Sequence, residues 1–188
     1  MYPVVNKLVL PVSDYRQSDA SRRFGDKIRR RVVLWAVHLG DDVVAPAGTA
    51  VRAIGDGEVV FASTLPGSER HRSWGGLVVI GHFTSPPALS SHEERGNFAG
   101  GGVGEVFYSL YGHLGELRVR EGEVVGAGQQ VGVVAAGKTP ENGWWQTPHL
   151  HFAIYTGPLP ARRSLGEGGA GRALPGYWRP DDWLLWRP

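Results

Sequence analysis

The chain has 188 residues, 41% hydrophobic and 20% charged, enough for one domain with a packed core, so wholesale disorder is excluded. Lys+Arg 20 against Asp+Glu 18 leaves a formal charge of +2, which does not indicate a broad nucleic-acid footprint, and no apolar run approaches the ~18 residues of a membrane span. Cys is absent, which removes disulfide scaffolds, thiol catalysis and Cys-type zinc fingers, so any metal falls to the 7 His and the carboxylates.

With 28 Gly and 13 Pro the chain is densely punctuated, which predicts strands and turns rather than helices. The first residues do not read as a secretory signal: no basic region precedes the apolar stretch, and Pro3 and Pro11 bracket it. Residues 1–30 read as a lead-in wrapped on the domain. Strands are expected at 31–37, 51–62, 77–82, 107–114, 131–135 and 149–155, with Gly55-Asp56-Gly57 as a hairpin-like turn signal inside the second. No stretch holds a capped 3.6-residue apolar period, so the fold is mainly β. Residues 84–104 and 159–176 read as long loops, a length that is usually functional or mobile. The aromatic tail from Tyr177 to Trp186 is expected to dock its Trp residues on the domain. The division that follows is 1–30 lead-in, 31–156 principal domain, 157–188 loop and Trp-rich tail.

Two stretches echo each other as strand, glycine turn, strand: Val44-Ala-Pro-Ala-Gly-Thr-Ala-Val51 and the segment from Val119 through Gly128-Gln129 to Val131. The second is similar to the turn region of biotinyl and lipoyl carrier domains. Those carriers need a Lys at a hairpin tip, and Lys7, Lys27 and Lys138 occupy no matching turn, so the echo concerns fold rather than cofactor attachment.

Three pieces can carry chemistry. In His149-Leu150-His151 a strand projects both imidazoles to one side, about 7 Å apart, which suits one as metal ligand and the other working beside the metal. The plainer reading is a surface strand with two solvated His. His38 and Asp42 would sit about 13 Å apart in a straight strand, but Gly40 offers a place to bend and unite them. Otherwise they form a polar turn. His113 lies in the apolar, aromatic run from Tyr108 to Leu114, where the alternative is a satisfied core histidine.

The ordered set is more specific than its parts. His38-x-Gly40-x-Asp42, Ala45-Pro46-x-Gly48-Thr49-x-Val51, Asp56-Gly57, Tyr111-x-His113-Leu114, Gly122, Gly128-Gln129 and Pro148-His149-Leu150-His151-Phe152 follow in sequence. Across residues 32–155 this resembles the lysostaphin-type (LytM-like) zinc metallopeptidases, which cleave peptide bonds in bacterial peptidoglycan. The resemblance implies antiparallel sheets of barrel-sandwich hybrid (duplicated hybrid motif) type, with long loops around a metal groove. It makes His38, Asp42 and His151 ligands of Zn²⁺, and His113 and His149 the catalytic histidines. It also implies peptidoglycan peptides as partners and an extracytoplasmic location. Two neutral imidazoles and a carboxylate leave zinc a net positive charge and an open position for water. No Glu accompanies the motifs as in His-Glu-x-x-His enzymes, so the acid–base role falls to His. The alternative is a non-catalytic peptidoglycan-binding or regulatory module; relatives of that kind usually lose ligands or catalytic His, and here all five positions are filled.

His82 reads as structural or as a support to the site, and His71 and His92 as solvated. Thr147 stands where that family commonly has Gly, Gly76 replaces an Asn often found before the middle strand, and the loop before His113 is longer than usual. These changes alter the groove walls, where Trp144 and Trp145 either offer flat faces to a substrate or pack on the domain.

Overall fold

The computed structural model describes residues 5, 8–13, 15, 20–30, 33–83, 106–156, 170–171 and 177–178. Among these residues there is no helix. The strands are β1 Ala20–Arg22, β2 Lys27–Arg30, β3 Val33–His38, β4 Asp41–Val44, β5 Ala50–Arg52, β6 Gly57–Leu65, β7 Gly75–Phe83, β8 Val106–Leu117, β9 Val124–Val125, β10 Gln130–Val134, β11 His149–Tyr155, β12 Ala170–Gly171 and β13 Tyr177–Trp178. The mainly antiparallel β architecture expected from the sequence is present, as an open sheet in the order β1-β4-β11-β8-β7-β6-β9. Strand β10 bridges β8 and β5, β13 pairs with β11, and β12-β3-β2 form a separate small sheet.

Alternation along the central strands builds two apolar clusters. Val78, Ile80, Tyr111, Phe152 and Ile154 belong to one, while Leu77, Val79, Leu110, Ala153 and Tyr155 belong to the other with Trp74. A strand buried on both faces reads as a continuous apolar run, which is why 77–82 and 149–155 were legible. Val5, Leu8, Val12 and Tyr15 join the first cluster, and backbone bonds from Val9 N–H to Ile54 O (2.7 Å) and from Arg52 N–H to Pro11 O (2.8 Å) fix the lead-in there.

Gly55-Asp56-Gly57 does not form the expected hairpin turn. A bend is present, but β5 pairs with β10, and β6 pairs with β7 and β9. Residues 53 and 54 give their N–H groups to Gln129 O and to the Tyr111 hydroxyl, so the backbone a hairpin would use is already engaged. Neither Gly55 nor Gly57 takes the positive φ that a tight primed hairpin turn requires.

The echo between the two turn segments has a structural counterpart. Gly48 (φ 85°) and Gly128 (φ 81°) each sit third in a four-residue turn, closed by Thr49 N–H to Pro46 O and by Gln129 N–H to Gly126 O. Their own N–H groups cross over: Gly48 donates to Val134 O and Gly128 to Ala53 O, both at 2.8 Å. Between these bonds β5 and β10 run antiparallel, so the two units embrace as an approximate twofold pair.

The expected loop at 84–104 lies outside the described residues, as does 159–176 apart from β12. Of the aromatic tail only β13 is described; it pairs through Ile154↔Trp178 and Tyr155↔Tyr177, and the docking of the Trp side chains lies outside the described residues.

Candidate active site

His38 ends β3 in the small sheet, and Asp42 is the second residue of β4 in the large one. The bend between them brings His38 Nε2 to 3.1 Å from Asp42 Oδ1, where a straight strand would hold them about 13 Å apart. Gly40 is required at the bend: a Cβ there would lie 2.4 Å from Phe152 O and 2.8 Å from His151 Nε2. The adjacent Asp41 turns the other way, accepting from the Tyr15 hydroxyl (2.7 Å) and from Phe24 N–H (2.8 Å), and so anchors the lead-in beside the bend.

Strand β11 supplies the next two side chains. His151 stands opposite Asp42, and His149 opposite Val44, so both imidazoles share the aspartate's face. His151 Nδ1 lies 2.8 Å from Asp42 Oδ1 and His149 Nε2 lies 3.7 Å from it.

His113 arrives by a less regular route. Ser109 and Tyr111 point into the first apolar cluster, and simple alternation would send His113 after them. Between the pairs Val78↔Tyr111 and Gly76↔Leu114, β8 carries one more residue than β7, a β-bulge, and His113 takes φ 64°. The bulge re-aims the imidazole to the other face, where its ring lies 4.5 Å from that of His149 and 6.0 Å from that of His151. The backbone N–H of His113 donates to Trp74 O at 2.9 Å, and the Trp74 ring packs edge-on against His151 at 4.9 Å. A left-handed non-glycine residue costs of order 1–3 kcal/mol and is held only by such surroundings.

All five residues named from the sequence are therefore brought together and buried. Two overlapping donor groups, His38–Asp42–His151 and Asp42–His113–His149, each have their atoms within 4.8 Å of one another. The hydrogen bonds behind the rings assign tautomers. His38 Nδ1 faces Arg23 O (3.2 Å) and His149 Nδ1 faces Thr147 O (2.8 Å), so each donates there and, when neutral, turns an Nε2 lone pair toward the site. Two lone pairs aimed at one carboxylate oxygen repel unless a proton or a metal cation lies among them. This donor set fits a metal ion with imidazole and carboxylate ligands.

The electrostatics agree. Burial alone would keep Asp42 protonated, yet its hydrogen bonds with His151 and His38 and their charges hold it well below the usual carboxylate range. Burial also opposes a charge on His38, but the hydrogen bond and charge of Asp42 outweigh it and raise that pKa. His151 is lowered by burial despite its bond to Asp42. Burial, with the fields of His149 and His151, pushes His113 well down, so it is neutral near pH 7.

His82 is separate from this centre. Fully buried, it donates from Nδ1 to Asp56 O (2.8 Å), and its Nε2 meets Ser109 Oγ (2.7 Å), which in turn meets the Tyr111 hydroxyl (2.9 Å). This polar chain ties the turn before β6 to β7 and β8 through the core, in keeping with a structural role. His71 is exposed, and His92 lies outside the described residues. Sequence reasoning missed Trp74, whose backbone and ring touch two site histidines; a lone Trp before a strand carries no signal for that. It also missed Arg22 and Arg72. Trp145 is half-buried, with its ring 6.1 Å from His113 and 6.4 Å from His149, and its Nε1–H donates to Ser73 O (3.2 Å). It thus both packs on the domain and borders the site.

Residues 36–162 match Peptidase family M23, and the chain belongs to that family. It is 30% identical over 132 residues, 70% of this chain and 23% of the relative, to the DD-carboxypeptidase/endopeptidase Mpg of Neisseria meningitidis serogroup B. A zinc containing peptidase from Vibrio cholerae superposes with a TM-score of 0.56 at 26% identity, covering 80% of this chain and 37% of that one. The catalytic domain of the antimicrobial peptidase lysostaphin from Staphylococcus simulans shares the fold, with a TM-score of 0.52 at 22% identity over 89% of this chain and 94% of that one. The chain spans about a fifth to a quarter of the length of the curated relatives it matches.

Proposed function

We propose that the protein is a zinc-dependent endopeptidase that hydrolyses peptide bonds of bacterial peptidoglycan, in the stem or cross-bridge, outside the cytoplasm. His38 Nε2, an Asp42 carboxylate oxygen and His151 Nδ1 hold the metal; His113 and His149 act on the substrate. The observation that carries this reading is the convergence of three ring nitrogens on Asp42 Oδ1, at 2.8, 3.1 and 3.7 Å. Peptidoglycan as substrate is supported by membership of the M23 family and by a 30% identical relative from Vibrio cholerae whose name describes a peptidoglycan DD-endopeptidase.

Bound at these residues, zinc would supply Lewis-acid polarisation of the scissile carbonyl and lower the pKa of water toward 7. The protein side follows from the tautomers. With its Nδ1 proton committed to Thr147 O, His149 presents Nε2 as a base able to accept a proton and return it to the leaving amine. His113, neutral and held by the bulge, can place an N–H toward oxygen charge that develops in the transition state. Its Nδ1 has no partner among the described residues, which leaves that atom uncommitted for the task. Asp42 keeps its charge, and Arg23 O and Thr147 O fix two ring orientations without titrating.

The test is release of soluble peptides from purified peptidoglycan, with and without chelator. Chelator-sensitive, zinc-restored cleavage supports the proposal. Zinc uptake with peptidoglycan binding and no cleavage would assign a non-catalytic module instead.

A further inference from the structure

Two guanidiniums border the site from unrelated parts of the chain. Arg22 on β1 pairs directly with Asp42 on β4, and cross-strand partners share a face, so Arg22 leaves the sheet on the aspartate's side. Arg72 precedes β7 in the segment 66–74. Its Nη1 donates to Ser68 O and Glu69 O, both at 3.2 Å, which holds the side chain in place. Each guanidinium carbon stands 5.9 Å from the centroid of the Trp145 ring, within cation–π range. Both arginines are exposed, and among the described residues neither has a carboxylate within ion-pair distance.

Like charges grouped round one aromatic ring, beside a centre that gathers a cation, repel one another. An arriving anion relieves that cost. A guanidinium resting on a ring face points its N–H donors outward in the ring-parallel plane, and a fork of two matches a carboxylate; Arg72, with Nη1 engaged, keeps Nε and Nη2 for that fork. We propose that Arg22 and Arg72, set on Trp145, form a carboxylate-binding rim, so that preferred substrates are peptides with a free carboxylate near the scissile bond. From the ring distances, each guanidinium is no farther than about 12 Å from His113, roughly three extended residues. The carboxylate therefore lies within about three residues of the cleaved bond. It belongs either to the chain's C-terminus or to an acidic side chain. This inference rests on the peptidase reading above.

The experiment uses zinc-loaded protein and two matched peptide pairs, one differing as C-terminal acid against C-terminal amide, the other as internal Glu against internal Gln. Steady-state kcat/KM is measured for each, with peptide affinity from tryptophan fluorescence measured in parallel. The acid member of at least one pair should be favoured by about tenfold to hundredfold, the scale of a hydrogen bond to a charged group. The pair that shows the preference identifies the source of the carboxylate. In the Arg22→Gln/Arg72→Gln protein that ratio should fall toward one, with Arg72→Lys intermediate because it keeps charge but loses the fork. Equal kcat/KM and affinity within both pairs in the unaltered protein, or a ratio that survives in the double variant, would overturn the rim. Absence of any cleavage would count against the peptidase reading alone, because the affinity ratios still decide the rim.

Discussion

His38 Nε2 and Asp42 Oδ1 stand 3.1 Å apart although their strands belong to different sheets. The bend at Gly40 creates this relationship, and the backbone of Phe152 closes over it so tightly that no side chain fits. Gly40→Ala should therefore lower the melting temperature and weaken zinc binding together. Its Cβ must displace backbone rather than a flexible side chain, an overpacking cost of about 1–3 kcal/mol. Thermal denaturation and zinc titration of the variant check this; unaltered zinc affinity would mean that the bend does not set the ligand geometry.

Ligands and catalysts separate by substitution. Asp42→Ala should lose most of the metal affinity, since the two remaining imidazoles make a poor site. His113→Ala and His149→Ala should keep zinc but lose about 10²–10⁴-fold in rate, the scale of proton transfer or oxyanion stabilisation. Metal analysis beside peptidoglycan turnover distinguishes these outcomes. Loss of metal from the His149 variant with retention in a His151→Ala variant would mean that the two roles are exchanged.

Acid stability should depend on His82. Burial lowers its folded pKa from 6.5 to about 4. Between those values the unfolded chain takes up a proton that the folded chain refuses, so stability is full above pH 6.5 and falls as pH drops toward 4. The contribution is about 3 kcal/mol. His82→Gln can keep bonds to Asp56 O and Ser109 but does not titrate, so denaturant midpoints measured from pH 7 to pH 4 should fall less steeply. An unchanged slope would show that His82 is not the group responsible.

Legibility in the sequence followed the physics of each element. Strands β7, β8 and β11 were plain because burial on both faces forces long apolar runs. Gly55-Asp56-Gly57 misled because glycine and aspartate mark a bend equally well when the flanking strands pair elsewhere. The five site residues were named through the family resemblance that their ordered motifs carry, yet the means by which they meet was not legible. A bulge at His113 depends on register against β7, and the carbonyls of Arg23 and Thr147 that orient His38 and His149 are backbone atoms with no residue signature. Arg22 and Arg72 looked like ordinary solvated charge, because their relation to Trp145 arises only when three distant segments meet.

Trp145 offers a further check on the site's wall. Its half-buried ring lies beside His113 and His149 and carries both guanidiniums. Trp145→Ala should raise KM for a peptidoglycan fragment while zinc content stays unchanged. A large fall in melting temperature with unchanged KM would make the ring a packing element only.

Anomalous diffraction at the zinc edge from crystals of the zinc-loaded protein identifies the atoms that hold the metal. One peak is expected, about 2.0–2.2 Å from His38 Nε2, an Asp42 carboxylate oxygen and His151 Nδ1, with His113 and His149 outside bonding distance. A peak ligated by His149 Nε2 in place of His151 Nδ1, or no peak at this centre, would contradict that ligand set.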